Sequence, residues 1–375
     1  MEYTEYELGE LLLYEQPTAY IVNSTEYNDS YDIPVLTAGK SFILGYTNEK
    51  EGIFDALPVI IFDDFTTAIQ YVNFKFKVKS SAMKILHVNK ELVLPKYIFY
   101  RMNIIQFDHS THKRYWIQQY SKIKIKIPPL AEQERIVARI EELFSELDKA
   151  VETLQTTKRQ LEVYRQAVLK EAFELASGYP EKKIKDVCSQ IVDCPHSTPK
   201  WAAEGRICLR TTNFRRGYLD LSEKNFVSEE TFDNRNSRLV PESGDVLYSR
   251  EGAILGIACM IPENLQVCLG QRMMLLRTNG KVTSKFLMHF LNSPTVTSFV
   301  ATITGGSASP HINVGDIKMF RIPVPSVAFQ MDIVNQIESR LSVCDSIEQT
   351  VDSALAQVDA MRQSILKEAF EGRLA

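Results

Sequence analysis

The sequence predicts an α+β protein in which two mixed α/β globular segments alternate with two long α-helices. The hexapeptide LKEAFE occurs twice, at residues 169–174 and 366–371, about half of the 375-residue chain apart. Each copy ends a stretch of about 40 residues without glycine or proline. A repeat with so long a period indicates duplication of a whole unit. We therefore expect a globular–helix–globular–helix order with an internal pseudo-twofold duplication.

The first globular segment alternates strand-like and helix-like runs. Runs rich in β-branched and aromatic side chains, which are typical of strands, lie at 33–36, 58–62 and 71–78. In the last run, apolar residues alternate with Lys75, Lys77 and Lys79, which predicts one buried face and one cationic face. Pro95 opens a predicted helix, and a polar, basic loop is predicted at 109–115.

The two long helices are predicted from apolar stripes that follow proline turns at 127–128 and 322–323. Apolar residues recur at spacings of three and four over four or five heptads, which is the coiled-coil pattern. Gly178 and Gly372 mark the ends. At about 1.5 Å per residue each helix is roughly 60 Å long, so we expect the two to pair. Two amphipathic helices, each packed on its own domain, are the alternative.

The second globular segment shows a weak echo of the first, in the same order and at similar spacing. The matched runs are 207–211 with 33–37, 245–248 with 59–62, 273–276 with 83–86, and 285–287 with 96–98. The globular segments have therefore diverged while the ends of the helices have not. That contrast suggests helices with a shared task and globular segments with different targets.

Composition is that of an ordinary soluble globular protein, with 45% hydrophobic and 24% charged residues. The acidic N-terminus lacks the features of a secretory signal, and no apolar run is long enough to span a membrane. The six cysteines include no C-x-x-C pair. We expect reduced thiols and a cytoplasmic location.

No catalytic motif stands out in the chain. The sequence lacks a phosphate-binding loop of the G-x-x-x-x-G-K-[ST] type and an amino-methyltransferase motif, since its only Pro-Pro pair lies between Ile127 and Leu130. Cys194 and His196 resemble a metal pair, but no second pair lies at ligand spacing, so an ordinary turn is expected. The loop at 305–309 is either a phosphate-contacting loop or plain surface.

The remaining polar features suit nucleic acid. The net charge is only −4, but residues 1–70 carry −11 and residues 71–126 carry +10. Basic side chains mix with hydroxyl, amide and aromatic ones, a combination that attracts phosphate and reads base edges. Each cluster alone is equally compatible with solvated surface. The candidate DNA-binding residues are Lys75, Lys77, Lys113, Arg114, Tyr115, Arg210, Thr212, Asn213, Arg215, Arg216, Arg250, Arg272, Ser307 and Ser309.

The whole pattern resembles the specificity subunit of type I restriction-modification enzymes. The resemblance is strongest in IPPLAEQERIV at 127–137, in its degenerate partner at 322–334, and in the LKEAFEGRLA ending. It implies a first target recognition domain at 1–127, a proximal helical spacer at 128–177, a second target recognition domain at 178–323 and a distal helical spacer at 324–375. It also implies that the two helices form an antiparallel coiled coil.

The same resemblance implies a non-catalytic chain that binds double-stranded DNA with a bipartite site. Two modification subunits would methylate adenine with S-adenosylmethionine, and restriction subunits would add ATP- and magnesium-dependent translocation and cleavage. No cofactor is expected on this chain. The residues expected to bind partner subunits are Gln133, Ile136, Phe173, Gln330, Ile333 and Phe370.

Two other functions remain open from the sequence. A self-contained methyltransferase or nuclease would bind S-adenosylmethionine tightly as an isolated chain. A pure interaction scaffold would bind no DNA, even with modification subunits present.

Overall fold

The computed structural model describes residues 3–37, 41–105, 107, 115–305 and 310–374. The chain divides into two compact units, one made of Met1–Leu154 with Ser353–Ala375 and the other of Gln155–Asp352. We call them unit 1 and unit 2. Each unit contains one globular segment, the beginning of the helix that follows it and the end of the other long helix.

The globular segment of unit 1 is built from short strands and short helices. The strands are β1 (Thr4–Glu7), β2 (Leu12–Glu15), β3 (Ile33–Leu36), β4 (Ile43–Thr47), β5 (Val59–Asp63), β6 (Ile69–Val72), β7 (Lys77–Val78), β8 (Met83–Val88) and β9 (Lys124–Ile127). The helices are α1 (Leu8–Leu11), α2 (Pro95–Met102) and α3 (Tyr115–Gln118), with 3-10 turns at Pro17–Tyr20 and Tyr120–Lys122. Pro95 begins α2, as the sequence predicted.

These strands form three sheets. A four-stranded antiparallel sheet has the order β2-β8-β5-β6, and a three-stranded sheet has the order β4-β3-β7, in which β3 and β7 are parallel. The first and last strands, β1 and β9, form a separate antiparallel pair. The pair β1–β9 therefore brings the beginning and the end of this segment together just before the long helix.

The first long helix, α4, spans Leu130–Glu174. Its first part, up to Leu154, belongs to unit 1 and the remainder belongs to unit 2. Burial follows the predicted stripe at Ile140, Leu147, Leu161 and Val168.

The globular segment of unit 2 repeats this plan with additional elements. The strands are β10 (Glu181–Lys183), β11 (Cys188–Asp193), β12 (Trp201–Ala202), β13 (Arg206–Leu209), β14 (Phe214–Arg215), β15 (Tyr218–Leu219), β16 (Phe226–Val227), β17 (Val246–Ser249), β18 (Ala258–Met260), β19 (Val267–Leu269), β20 (Met273–Thr278) and β21 (Arg321–Pro323). The helices are α5 (Ile184–Val187), α6 (Glu229–Arg235), α7 (Ser284–Asn292), α8 (Pro294–Thr304) and α9 (Val314–Met319), with a 3-10 turn at Thr211–Asn213.

Sheet order confirms the internal duplication. The four-stranded order β11-β20-β17-β18 corresponds to β2-β8-β5-β6, the parallel pair β13–β19 corresponds to β3–β7, and β10–β21 corresponds to β1–β9. The runs matched from sequence fall on these equivalent strands and on the equivalent helices α2 and α7. In this second sheet β16 pairs antiparallel with β13, as β4 does with β3. Unit 2 adds β12 and the hairpin β14–β15, for which the sequence echo gave no counterpart.

The second long helix consists of α10 (Val327–Ala356) and α11 (Val358–Phe370). The single predicted helix is therefore interrupted at Gln357, where the φ and ψ angles are −88° and −10°. Arg165 of α4 pairs with Asp345 at 2.7 Å in unit 2, and Arg362 pairs with Asp148 in unit 1. In unit 2, Lys158 also pairs with Asp352 and Glu171 with Arg340, so ascending positions on α4 meet descending positions on α10. In unit 1, Ile140 packs with Leu366 and Ala369, while Asp148 further along α4 pairs with Arg362. The helices are therefore antiparallel within each unit.

One predicted strand is corrected by the structure. The run at 71–78 supplies the end of β6 to one sheet and all of β7 to another, with a break between them. Its alternation of faces is lost at the break, so Phe74 is exposed and Lys77 is buried. None of the helices that the structure describes is long and apolar enough to cross a membrane.

Candidate nucleic-acid interface

Three of the predicted basic residues lie at one end of the four-stranded sheet in unit 2, where β11 and β17 end and β20 begins. We call this strand-end surface, and its equivalent in unit 1, the edge of the sheet. Asp193 at the end of β11 lies opposite Met274, and Ser249 at the end of β17 lies opposite Met273. Only three residues separate β19 from β20, so the ends of the parallel pair β13–β19 lie beside the same edge. The chain that leaves these strands carries Arg210, Arg250 and the segment 194–201.

Arg250 lies just beyond this edge, but its guanidinium is engaged inside the unit. It makes a bidentate ion pair with Asp193, at 2.7 and 2.9 Å, and a further pair with Glu251 at 2.5 Å. Burial lowers the pKa of Arg250, but the Asp193 carboxylate outweighs that effect and raises it above its ordinary value. The structure therefore gives Arg250 an organising role beneath the edge, in place of the predicted direct contact with DNA.

Three of the predicted residues are exposed at or near this edge. Arg210 lies over the ring of Trp201, with its guanidinium carbon 5.7 Å from the ring centroid. Arg272 adopts a left-handed backbone conformation, with a φ angle of 68°, which is uncommon for a residue with a Cβ atom. Thr212 is exposed on the 3-10 turn that follows Arg210. The hydrogen bond from the Gly270 N–H to the Leu209 carbonyl, at 2.9 Å, brings the chain before Arg272 beside the chain before Arg210. The structure thus presents two arginines and a hydroxyl to solvent at this edge.

The hairpin β14–β15 carries two further predicted arginines. Arg215 is exposed but bonded to Asp220 at 2.8 Å, while Arg216 donates to the Asn292 carbonyl at 3.4 Å. Both retain exposed surface that remains compatible with a phosphate contact.

Asn213 has a structural role in the turn before that hairpin. Its side chain is buried and accepts a hydrogen bond from the Arg210 backbone N–H at 2.9 Å. It also donates to the carbonyls of Asp220 and Glu223, at 3.0 and 2.9 Å. These three bonds occupy the amide, so the predicted contact of Asn213 with DNA does not fit this conformation.

The equivalent edge in unit 1 is organised by a buried ion pair. Asp64 follows β5, and its carboxylate lies 3.6 Å from the buried Lys84 Nζ and accepts from the Trp116 N–H at 2.9 Å. Tyr115 is buried and donates its backbone N–H to the Asp64 carbonyl at 3.0 Å. The ring of Tyr115 therefore belongs to the core of unit 1 and not to an exposed DNA-binding surface.

The two predicted lysines of unit 1 differ in accessibility. Lys75 is exposed and lies 3.6 Å from Asp55. Lys77 is buried, and its ammonium group lies 3.1 Å from Glu49 and donates to the Glu51 carbonyl at 2.5 Å. Lys77 thus fixes the position of the loop before β5. The prediction that it lies on an exposed cationic face is wrong, because its side chain is buried.

Four predicted DNA-binding residues lie outside the part of the chain that the structure describes. They are Lys113, Arg114, Ser307 and Ser309.

Sequence reasoning missed several exposed or organising residues at the two edges. Phe65 is 51% exposed in the turn between β5 and β6, where the Asp63 carboxylate accepts the N–H groups of Phe65 and Thr66. The run DDFTT, with aspartates before an aromatic residue, is a turn signature that could have located it. Arg235 is buried at the end of α6, and its polar surroundings in sequence gave no sign of burial.

The Gln133 side chain anchors the start of α4 to the globular segment of unit 1. Gln133 is fully buried, and its Oε1 accepts from the Leu94 N–H at 2.8 Å. Its Nε2 donates to the carbonyls of Leu92 and Pro128, at 3.1 and 2.9 Å. The residue before α2 is thereby fixed to the helix start.

Gln330 makes the same set of contacts in unit 2. It is fully buried, accepts from the Thr283 N–H at 2.8 Å, and donates to the carbonyls of Lys281 and Pro325 at 2.9 and 3.0 Å. Both glutamines use their amides inside their own unit. A direct contact with a partner subunit, as the resemblance implied, does not fit this conformation.

A second anchor is duplicated about two turns further along each helix. Lys96 of α2 pairs with Glu141 in unit 1, and Lys285 of α7 pairs with Glu338 at 2.9 Å in unit 2. His289, whose Nε2 lies 3.8 Å from the Glu338 carboxylate, acts together with Lys285 to lower the pKa of Glu338 to about 2, although burial opposes the change. These pairs tie the same helix of each globular segment to the following long helix.

The repeated hexapeptide supplies a third anchor. Phe173 packs between Phe286 and Phe290 of α7, with centroid distances of 5.1 and 5.4 Å. Phe370 packs on Tyr97 of α2, edge to face, at 5.3 Å. Each copy of LKEAFE thus contacts the equivalent helix of the unit in which it lies, so internal packing accounts for its recurrence.

The remaining residues expected to bind partners also contribute to these cores. Ile333 is fully buried in the main core of unit 2, and Ile136 is partly buried in unit 1 between the globular segment and α11. Both side chains thus take part in internal packing of their own unit.

The repeated fold and the duplicated anchors define a class of protein in which two related globular segments are each followed by a long helix. Residues 1–162 and 177–357 match the family described as "Type I restriction modification DNA specificity domain". The chain belongs to this family and is a type I restriction-modification specificity subunit. The resemblance drawn from the proline turn and the hexapeptide is confirmed.

Individual relatives support the assignment along most of the chain. The EcoR124I/EcoR124II specificity subunit of Escherichia coli is 33% identical over 356 residues, which cover 91% of this chain and 87% of the relative. The EcoBI specificity subunit of Escherichia coli is 26% identical over 67% of this chain and 58% of the relative.

Two solved structures share the fold at 20% sequence identity. One chain, from a study of complex assembly and conformational transition of the type I R-M system, has a TM-score of 0.69 over 99% of this chain and 98% of its own length. The HsdS subunit from Thermoanaerobacter tengcongensis has a TM-score of 0.53, with coverages of 99% and 97%.

Proposed function

We propose that this chain reads a bipartite site on double-stranded DNA, with one globular segment for each half. The observation that carries the proposal is a contrast between the two units. The residues that anchor each globular segment to the helices are the same in both units, whereas the residues at the equivalent sheet edges differ. Both units use a glutamine, a Lys–Glu pair and a phenylalanine at equivalent positions. Their equivalent sheet edges differ, with Asp64 and Lys84 in unit 1 where unit 2 has Arg250 and Met274.

The paired helices set the distance between the two half-sites and dock two modification subunits. The proposed boundaries are target recognition domains at 1–127 and 178–323 and helical spacers at 128–177 and 324–375. Antiparallel pairing within each unit supports the spacer role. The six residues first expected to bind partners contribute to internal contacts. The proposed docking surface therefore consists of other, exposed positions on the helices.

The chain itself is proposed to be non-catalytic. Adenine methylation with S-adenosylmethionine resides in the modification subunits, and ATP- and magnesium-dependent cleavage resides in restriction subunits. Recognition needs only positioned polar groups, which the two sheet edges provide. The six cysteines are free and buried, which suits the proposed cytoplasmic location.

Exchange of the first recognition domain tests this function. Residues 1–127 are replaced by the corresponding segment of another family member that has a known bipartite site, and the complex with modification subunits is assembled. Sequencing that detects methylated adenines is expected to show one new half-site, with the other half and the spacing unchanged.

Three outcomes would contradict the proposal. A change in both half-sites would show that reading is not divided between the globular segments. Tight binding of S-adenosylmethionine by the isolated wild-type chain would favour an enzyme. Failure of the wild-type complex to bind any DNA would favour a protein-interaction scaffold.

A further inference from the structure

Arg235 in unit 2 has an unusual environment for an arginine. It ends α6 and is 8% exposed. Its guanidinium donates to four backbone carbonyls: those of Leu269 and Gly270 at 2.6 and 2.8 Å, and those of Pro195 and Ser197 at 3.2 and 3.1 Å. One buried cation thus joins the end of β19 to the segment that follows β11.

A buried guanidinium without good partners is costly, and an apolar side chain of similar size would fill the same space at lower cost. What an arginine adds is its planar fork of five N–H donors, which fixes several acceptors in one geometry. The side chain of Arg235 therefore determines where the carbonyls of Pro195 and Ser197 lie relative to β19.

The segment held in this way continues into exposed side chains. His196 is largely exposed and lies 3.1 Å from Asp193, and Trp201 at the end of the segment is 43% exposed beneath Arg210. Thr198 donates its hydroxyl to the Gln271 Oε1 at 3.4 Å, and the Gln271 amide donates to the His196 carbonyl. Imidazole, amide and guanidinium groups with an adjacent aromatic ring are thus placed together on one surface.

We propose that Arg235 is a positioning residue that holds residues 195–201 as a base-reading segment of unit 2. The proposal rests on the function proposed above, and the ligand is the half-site of duplex DNA read by unit 2. Arginine, glutamine and histidine donors read base edges only when their backbone is fixed, because one misplaced hydrogen bond removes the discrimination. Unit 1 has no helix between β3 and β5 in its described residues, so this device belongs to unit 2.

Two variants loosen the same segment by different routes. Arg235→Lys keeps the charge but loses the planar fork, and Pro195→Gly frees the segment while Arg235 remains. Arg238→Lys is the matched control, since Arg238 is an exposed arginine three residues further on. Each variant is assembled with modification subunits, and methylated sites are mapped by sequencing.

Both loosening variants are expected to lose roughly tenfold discrimination at bases of one half-site. The other half-site, the spacing and the salt dependence of DNA affinity should match the wild type, which a general loss of stability would not produce. Hydrogen–deuterium exchange should rise in residues 195–201, and Arg238→Lys should behave as the wild type does.

The inference is overturned if both variants keep the complete recognition sequence. It is also overturned if Arg235→Lys abolishes methylation while Pro195→Gly keeps full discrimination, since Arg235 would then serve folding alone. Failure of the underlying function has a different signature, because the wild-type complex itself would then methylate without sequence preference.

Discussion

Two buried glutamines show how single residues position a domain on a helix. Gln133 and Gln330 each accept one N–H and donate to one carbonyl in the turn before a short helix of the globular segment. Each also donates to a carbonyl in the proline turn before its own long helix. A glutamine side chain has one acceptor oxygen and two N–H donors. These three hydrogen bonds therefore use both the oxygen and the nitrogen of each side-chain amide. Their recurrence in the sequence repeat reflects this structural task.

Replacement of Gln330 by leucine is expected to destabilise unit 2. The Thr283 N–H and two carbonyls would lose their partner, and the Pro325 carbonyl would do so in a buried place, at a cost of about 1–3 kcal/mol. Urea denaturation of the variant and the wild type measures the difference. The control is Gln336→Leu on an exposed position of the same helix, and equal stability of the two variants would contradict the prediction.

The same residues show what the sequence could not reveal. Repetition marked Gln133 and Gln330 as equivalent, but nothing in a local pattern distinguishes an amide that faces a partner from one that faces the interior. Lys77, Arg235 and Arg250 are similar cases, because a charged side chain is expected at the surface unless its buried partners are known. Apart from Glu251 beside Arg250, those partners lie from 26 to 57 positions away in the chain.

Element-scale features were more accessible from the sequence. A 45-residue helix and the equivalent strands followed from apolar spacing and from the ordered echo between segments. The boundary between β6 and β7 did not follow, because one continuous strand-like run is shared between two sheets. Sheet membership depends on distant pairing, which local periodicity does not contain.

The two copies of LKEAFE allow a prediction at this scale. Phe173→Ala should cost about 3–5 kcal/mol in unit 2, because Phe173 is buried between two rings. Phe370→Ala should cost less, because Phe370 is only partly buried. Hydrogen–deuterium exchange should rise in α7 for the first variant and in α2 for the second. Equal changes in α2 and α7 in either variant would contradict this assignment.

At the scale of the whole molecule, helix length should control DNA spacing if the proposed function holds. Seven residues added to both helices, after Leu154 and after Asp352, leave the pairs inside each unit intact. One heptad adds about 10 Å of helix, or about three base pairs at 3.4 Å each.

Mapping of methylated sites is expected to show a longer spacer with unchanged half-sites. The matched control adds seven residues to α4 alone, which shifts one helix relative to the other and should reduce assembly or methylation. An unchanged spacer in the double insertion would contradict the role proposed for the helices.

Unit 1 combines an early part of the sequence with a much later one, since residues up to Leu154 pack with residues from Ser353 onward. Phe370 meets Tyr97 across most of the chain, whereas unit 2 is one continuous stretch of sequence. A ribosome-bound chain can therefore complete unit 2 before unit 1. The apolar surface around α2 stays uncovered until α11 has been made. Contacts between distant positions form slowly, so the nascent first segment depends on its own small core until α11 has been made.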